Sequence, residues 1–318
     1  MSTLPASDLV LVANDSVVRR PLAGTMWVGS GRTRGRVVER LADGGWRRAE
    51  QSSAGALVLE VRPAAERLIF QVWGPLTTPM DEGSQALLAL RAWAGLDDDV
   101  TGFADLVSTH PVLSRAARII GVPIIGALPR AGESFGRAVL GQLVQGIEAG
   151  RSTAQLVAML GTPTPQGVWA YPTPRALGSA PAHELRRCGI ALRSAGLMHE
   201  FARTEGAFQH LARTRDWATM DARIRRLRGA GVWTAAETRL YLGDADAVSY
   251  GDYHIPALVG WALGDRTETD QAMAELLAPY APHRGRVIRL LEQASRRGLV
   301  VTKPRRGPRA ALSAHRYW

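Results

Sequence analysis

The sequence has a single cysteine, Cys188, and a single lysine, Lys303. One cysteine excludes an internal disulfide and any iron–sulfur cluster or zinc site held by several thiolates. Cys188 reads as a small buried apolar side chain. No run approaches eighteen consecutive apolar residues, so no membrane-spanning helix is expected. The opening "MSTLPASDLVLVAND" has no basic leader, and its apolar run is too short for a secretory signal. The seven histidines form no His-Glu-x-x-His or comparable cluster, so no catalytic metal is expected. Together these absences point to a cytoplasmic protein without a membrane partner.

At 318 residues the chain is long enough for two or three packed layers, and its 46% hydrophobic content is ordinary for a globular protein. The formal net charge is +10. Residues 296–318, "RRGLVVTKPRRGPRAALSAHRYW", supply +7 of it and contain no acid. That basic C-terminal tail is either a solvated end or an attractor of polyanions, nucleic acid or an acidic membrane surface. It has no amphipathic apolar face, which argues against the membrane.

From about Val17 to Trp73 the chain reads as strands: "TMWVG", "RVVERLA", "ALVLEV" and "RLIFQVW". "ADGGW" (42–46) is a hairpin turn signal. "GSGRTRGR" (29–36) looks superficially like a phosphate loop, but it lacks the Gly-Lys-Ser/Thr ending and reads as a plain loop. After about Met80 the period becomes helical. "FGRAVLGQLVQGIEAG" places Phe135, Val139, Leu140, Leu143, Val144 and Ile147 on one stripe. Ser152 and Thr153 are cap candidates for "RSTAQLVAML". "GTPTPQGVWAYPTP" (161–174) reads as a long loop. Helices resume in "LRSAGLMHEFARTEGAFQHLA", "MDARIRRLR", "TAAETRLYLG" and "DQAMAELLAPYAP". The expectation is an α+β arrangement: a β-rich N-terminal domain over 1–80, then an all-helical domain over 81–295.

Within the helical part, "LRGAGVWTAAE" (227–237) breaks a helix beside the basic run "RIRRLR". Gly229 and Gly231 supply the positive φ that a very short turn between helices demands. The backbone N–H groups near Gly229, Ala230, Gly231 and Val232 then face outward beside a helix N-terminus, an anion site suited to phosphate. Such a site contacts DNA without reading its sequence. Twenty-one residues after Gly231, Asp252 heads the apolar segment "YHIPALVG"; it is either an N-cap or a carboxylate facing what the hairpin holds.

These stretches resemble the helix-hairpin-helix DNA glycosylases, most of all the 3-methyladenine DNA glycosylase II branch. "LRGAGVWTAAE … DADAVSYGDYHIP" carries the likeness, with "AVLGQLVQG" (138–146) and "GIALRSAGLMHEFA" (189–202) in the same order over roughly residues 20–295. The resemblance implies two helical subdomains with a cleft between them, one of 129–244 and the other of 81–128 with 245–295. It implies a monomeric, nucleoid-associated enzyme that extrudes a damaged base from double-stranded DNA and hydrolyses its glycosidic bond. Asp252 then has the catalytic role, stabilising the positive sugar and orienting a water. Trp233, Glu237 and Tyr253 fall at the base pocket. Gly229, Ala230, Gly231, Val232 and Thr234 fall at the DNA-binding hairpin, with Gln142 against the opposite strand and Leu143 at the wedge that fills the vacated stack. Leu143 and Trp233 read equally as core side chains. No cofactor is implied beyond a monovalent cation that can sit at the hairpin carbonyls.

The sequence departs from the pattern at three points. Glu237 stands where the alkyl-base enzyme has an aromatic residue, as a solvated helix carboxylate or as part of a more polar pocket. Gly251 replaces a second acid, and His254 resembles the Asp-x-His of other branches. Relatives that nick the strand use a lysine two residues after the second hairpin glycine; here that residue is Trp233. An alkylated purine is the expected lesion. A glycosylase for an oxidised or deaminated base and a non-catalytic DNA-binding relative are the alternatives.

Overall fold

The computed structural model describes residues 9–18, 20–22, 34–142, 144–264 and 266–302. Leu143, the stretch "TMWVG" and residues 303–318 of the basic tail lie outside the described residues.

Strands β1 (Leu9–Val18), β2 (Val38–Arg40), β3 (Trp46–Ser52), β4 (Gly55–Ala64) and β5 (Arg67–Pro75) form one antiparallel sheet in the order β1-β5-β4-β3-β2. The expected turn joins β2 to β3: Leu41 N–H donates to the Gly45 carbonyl at 2.8 Å and Gly45 N–H to Asp43 Oδ1 at 2.9 Å. β1 was not expected; it pairs along β5 from Leu9 opposite Pro75 to Val18 opposite Arg67, so pairing defines a strand whose own sequence is ambiguous. In β5, Leu68, Phe70 and Val72 alternate into the core, the period-2 pattern of a half-buried strand.

Helices α1 (Met80–Trp93), α2 (Phe103–Ser108), α3 (Pro111–Ile120), α4 (Ala131–Leu140) and α5 (Gly146–Leu160) follow. A short hairpin, β6 (Thr162–Pro163) with β7 (Trp169–Ala170), precedes α6 (Pro174–Ser179), α7 (Ala182–Arg187), α8 (Leu192–Thr214) and α9 (Trp217–Ile224). The chain continues through α10 (Val232–Tyr241), α11 (Ile255–Leu263), α12 (Asp270–Leu277) and α13 (Arg284–Arg296). The fold is thus α+β, as expected. Among the described residues no helix is long and apolar enough to cross a membrane.

Three local expectations need correction. The single helix expected over 135–150 is two, because α4 ends at Gly141 and α5 begins at Gly146; Ile147 is accordingly 66% exposed rather than on a core stripe. Ser152 and Thr153 sit inside α5 rather than capping it, and the Thr153 hydroxyl donates to the Ala149 carbonyl one turn back at 2.8 Å. The Pro-rich loop contains β6 and β7, where Val168 and Ala170 pack on Ala49 and Ala56; those small sheet residues permit the close approach.

Two cores organise the chain. One joins Leu59, Phe70 and Val72 of the sheet to Phe135 of α4 and Phe201 of α8, whose rings stack 4.1 Å apart. Helix α1 belongs to it through Ala86, Leu90 and Trp93, so it packs on the sheet rather than with α2 and α3. The other core gathers Phe103, Leu113, Val259, Leu277 and Leu291 from α2, α3, α11, α12 and α13.

Buried ion pairs tie the layers together. Wholly buried Arg48 on β3 donates through Nη2 to Glu50 and, at 2.7 Å, to Glu133 Oε2 on α4. Arg137 donates to Glu133 Oε1 from Nε at 2.9 Å and from Nη2 at 2.7 Å. Burial opposes ionisation of Glu133, but Arg48 and Arg137 outweigh it and hold its carboxyl at about 2. Glu50 has only a share of Arg48, and burial pushes it up. At the other end, Arg286 of α13 grips Asp98 with two 2.6 Å bonds and thereby anchors α13 to the segment between α1 and α2.

Candidate active site

The break between α9 and α10 is built by local hydrogen bonds. Arg226 N–H donates to the Arg223 carbonyl, Leu227 N–H to that of Ile224, and Ala230 N–H to that of Leu227 at 3.0 Å. Gly229 has φ +109°, a conformation that side-chain-bearing residues rarely adopt. A Cβ there would also lie 2.7 Å from Arg193 Nε of α8. Gly231 is different, and the expectation of positive φ fails for it. Its φ is −100°, it precedes α10 as N-cap without a side-chain cap, and a Cβ on it would meet nothing within 4 Å. Nothing inside the described chain requires glycine there.

Gln142, in the turn after α4, is tied to this hairpin. Its Nε2 donates to the Gly229 carbonyl at 3.1 Å and to Thr234 Oγ1 at 2.7 Å. The carbonyls of Ile224, Leu227 and Gly229 therefore each already accept a hydrogen bond. Among the described residues no group of three or more His, Cys, Asp or Glu could hold a metal ion. Arg193, Arg226 and Arg228 are exposed around the hairpin with no carboxylate partner among the described residues, so the local surface is positive.

Trp233, second residue of α10, links the hairpin to Asp252. Its indole packs over Gly141, where a Cβ would lie 3.2 Å from Cη2. Its Nε1 donates to Asp252 Oδ2 at 3.0 Å. Asp252 Oδ1 accepts from His254 N at 2.7 Å and Ile255 N at 2.9 Å, the first amides of α11. The N-cap of α11 is His254, so Asp252 stands two residues before it, with Oδ1 on the first amides and Oδ2 on the indole of α10. Three N–H donors fix the direction of the carboxylate.

Glu237 lies one turn after Trp233 on the same face of α10. The solvated reading fails: Glu237 is 9% exposed, and Oε1 accepts from the Ser249 hydroxyl and lies 3.7 Å from Arg289 Nη2 of α13. Burial raises its carboxyl pKa. With Trp93, Arg137, Tyr241 and Arg289 it lines a small cleft bounded by α1, α4, α10 and α13. Tyr253 is 72% exposed, its ring edge-on to His254, and is not among the residues lining that cleft. Gly251 has φ +79°, in the turn that brings Asp252 round to α11.

Sequence reasoning missed Ser249, Arg289 and Arg193. Arg289 is one of several arginines on an amphipathic helix, and the packing of α13 against α3 and α11 sets it beside Glu237. Arg193 lay in a motif that carried the resemblance, but nothing in its spacing points to Gly229.

No family model matches the chain, and no curated protein matches it in sequence. Solved structures do match. The 3-methyladenine DNA glycosylase from Archaeoglobus fulgidus superposes with a TM-score of 0.72 at 18% identity, covering 88% of this chain and 98% of its own. The Clostridium acetobutylicum 8-oxoguanine glycosylase/lyase, bound to double-stranded DNA with cytosine opposite 8-oxoguanine, gives 0.61 at 11% identity, covering 82% and 88%. The 3-methyladenine DNA glycosylase of Schizosaccharomyces pombe, bound to abasic DNA, gives 0.53 at 17% identity, covering 62% and 97%. The chain therefore shares its fold with these DNA glycosylases of known structure.

Proposed function

We propose that this chain is a monofunctional DNA glycosylase, acting as a monomer, that hydrolyses the glycosidic bond of a flipped-out damaged purine, an alkylated purine first, and leaves an abasic site. The observation that carries the reading is the Asp252 carboxylate, held by Trp233 Nε1 at 3.0 Å immediately beside the hairpin. A duplex held at the hairpin by its phosphates brings an extruded sugar to that carboxylate. As the C1′–N bond breaks, its electron pair leaves with the base, and the fixed negative charge stabilises the positive sugar until water adds. Two of the three similar structures are 3-methyladenine glycosylases, which supports the alkylated lesion. The third is named a glycosylase/lyase, and the absence of a lysine at position 233 argues against that second activity here. The test is a base-release assay on alkylated duplex DNA, with the released bases identified by mass spectrometry. No base released above the uncatalysed background would reject the reading.

The hairpin gives a sharper prediction. Gly231→Ala enters an ordinary conformation and open space, so it should leave the melting temperature unchanged or raise it, by up to about 1 kcal/mol of stability. It should nevertheless weaken duplex binding about tenfold, because the new Cβ points into the space a phosphate would take and holds it off the hairpin amides, the scale of one hydrogen bond to a charged group. Gly229→Ala should lower the melting temperature, because φ is +109° and Arg193 stands in the way. Unchanged duplex affinity in Gly231→Ala would remove the hairpin from the phosphate contact.

The tail is tested by salt. Each Lys or Arg that meets a phosphate adds about 0.9 to the slope of log affinity against log salt. Deleting residues 303–318, which carry Lys303, Arg305, Arg306, Arg309 and Arg316, should flatten the slope and weaken binding while base release continues. An identical slope would show that the tail makes no contact with DNA.

A further inference from the structure

The turn after α4 is fastened to the hairpin at two successive residues. Gly141 closes α4, its N–H donating to the Arg137 carbonyl at 3.0 Å and the Ala138 carbonyl at 3.2 Å. The Gln142 N–H donates to the Val139 carbonyl at 3.3 Å, so the backbone of both residues extends α4. On their other side the Trp233 indole lies over Gly141, and the Gln142 side chain reaches Gly229 and Thr234. Two neighbours on one turn thus meet two neighbours at the start of α10.

The Gln142 amide has a definite direction. A backbone carbonyl only accepts, so the atom 3.1 Å from the Gly229 oxygen must be the nitrogen. That nitrogen also donates to Thr234 Oγ1 at 2.7 Å, and Thr234 is 2% exposed, so this bond lies inside the protein. Both N–H groups of the amide are therefore committed within the chain. To donate to the strand opposite the lesion, the role that the resemblance gives this residue, Gln142 would have to break one of these bonds. That would leave an acceptor beside α10 without its partner, at a cost in free energy.

We infer that Gln142 is a positioning residue: it ties the segment leading into Leu143 to the hairpin, so that a duplex docked on the hairpin meets that segment in one fixed register. The inference rests on the glycosylase reading given above. Extruding a nucleotide needs its phosphates held while the stack is opened. Those two tasks fall on segments 87 residues apart in the chain, and the Gln142 side chain bridges them. The same clamp continues to the reaction centre, because the indole over Gly141 also holds Asp252 Oδ2 at 3.0 Å. Turn, hairpin and carboxylate then form one body. A misplacement of about 1 Å in such an arrangement is enough to cost much of the rate.

The experiment measures single-turnover release of 7-methylguanine placed opposite C or opposite T, at saturating enzyme and well below the melting temperature. Under those conditions a merely structural role leaves the rate unchanged. Gln142→Ala should slow release about tenfold, the scale of its lost hydrogen bonds, and by the same factor opposite either base. Thr234→Val removes only the hydroxyl and should also slow release, while the double variant should be no slower than Gln142→Ala. Thr234→Ser keeps the oxygen and should restore the wild-type rate. A wild-type rate in Thr234→Val, losses that add in the double variant, or a Gln142→Ala loss that depends on the opposite base would overturn the inference and leave Asp252 in place. Failure of the wild type to release 7-methylguanine opposite either base would overturn the glycosylase reading instead. A crystal structure of the wild-type chain on an abasic duplex requires no substitution. Gln142 Nε2 should stay on the Gly229 carbonyl and Thr234 Oγ1, and an amide turned to the opposite strand would refute the tie.

Discussion

Asp252→Asn is expected to slow single-turnover base release by about 10²–10³-fold, the usual cost of removing one preorganised charged group from a transition state. Binding to the damaged duplex should survive or tighten, because the substitution removes a negative charge from a surface that meets phosphates. Asparagine can keep Oδ1 as the acceptor for His254 N and Ile255 N, so the start of α11 remains capped. It then turns an amide N–H₂ toward Trp233 Nε1, also a donor, and that 3.0 Å bond is lost. Asp252→Ala loses the cap as well and should cost about 1 kcal/mol of additional stability. Comparing the two variants separates structure from chemistry: the melts should differ while both rates collapse. Near-normal excision by Asp252→Asn would remove Asp252 from the reaction.

What was legible in advance follows from how local the cause is. The change from strands to helices near Met80 lies in the hydrophobic period, and α1 begins at Met80. The turn at 42–46 and the positive φ of Gly229 are likewise properties of a few neighbouring residues. The break between α4 and α5 was not legible, because the apolar stripe runs straight across it. Its cause is tertiary: the Trp233 indole lies over Gly141, and the hairpin claims Gln142. β1 is likewise defined by nine pairings with a strand some fifty residues away. β6 and β7 exist because Ala49 and Ala56 leave room for them on the sheet.

The site shows the same division. Asp252, Trp233 and the hairpin were found together because they lie within one short stretch of chain, and the indole–carboxylate bond joins two of them directly. Glu237 stands out in the sequence, but its environment does not, since Ser249 and Arg289 arrive from a loop and from the last helix. The buried Arg48–Glu133 pair left no sequence signal at all; "WRRAEQS" was not among the expected strands, and the ion pair from β3 to α4 makes its charges internal.

On the hydrolytic reading, borohydride should trap no covalent protein–DNA adduct, and strands should break only after alkali or heat. A lyase reaction needs an amine that can add to C1′ and carry the sugar as a Schiff base. The described residues contain no lysine, and the only one in the chain, Lys303, lies beyond them. The position where strand-nicking relatives carry their lysine is Trp233, whose indole nitrogen donates to Asp252 and has no lone pair with which to attack. The surrounding arginines are no substitute, because a guanidinium is not a nucleophile in a protein. On that reading water attacks the sugar and Asp252 Oδ2 is the acceptor expected to orient it. The expected product is an intact strand with an abasic site, which wild type and Lys303→Ala should yield equally. The α-amino group is the one amine left after that substitution. A borohydride-trapped complex that persists in Lys303→Ala would point to that amine and overturn the hydrolytic mechanism.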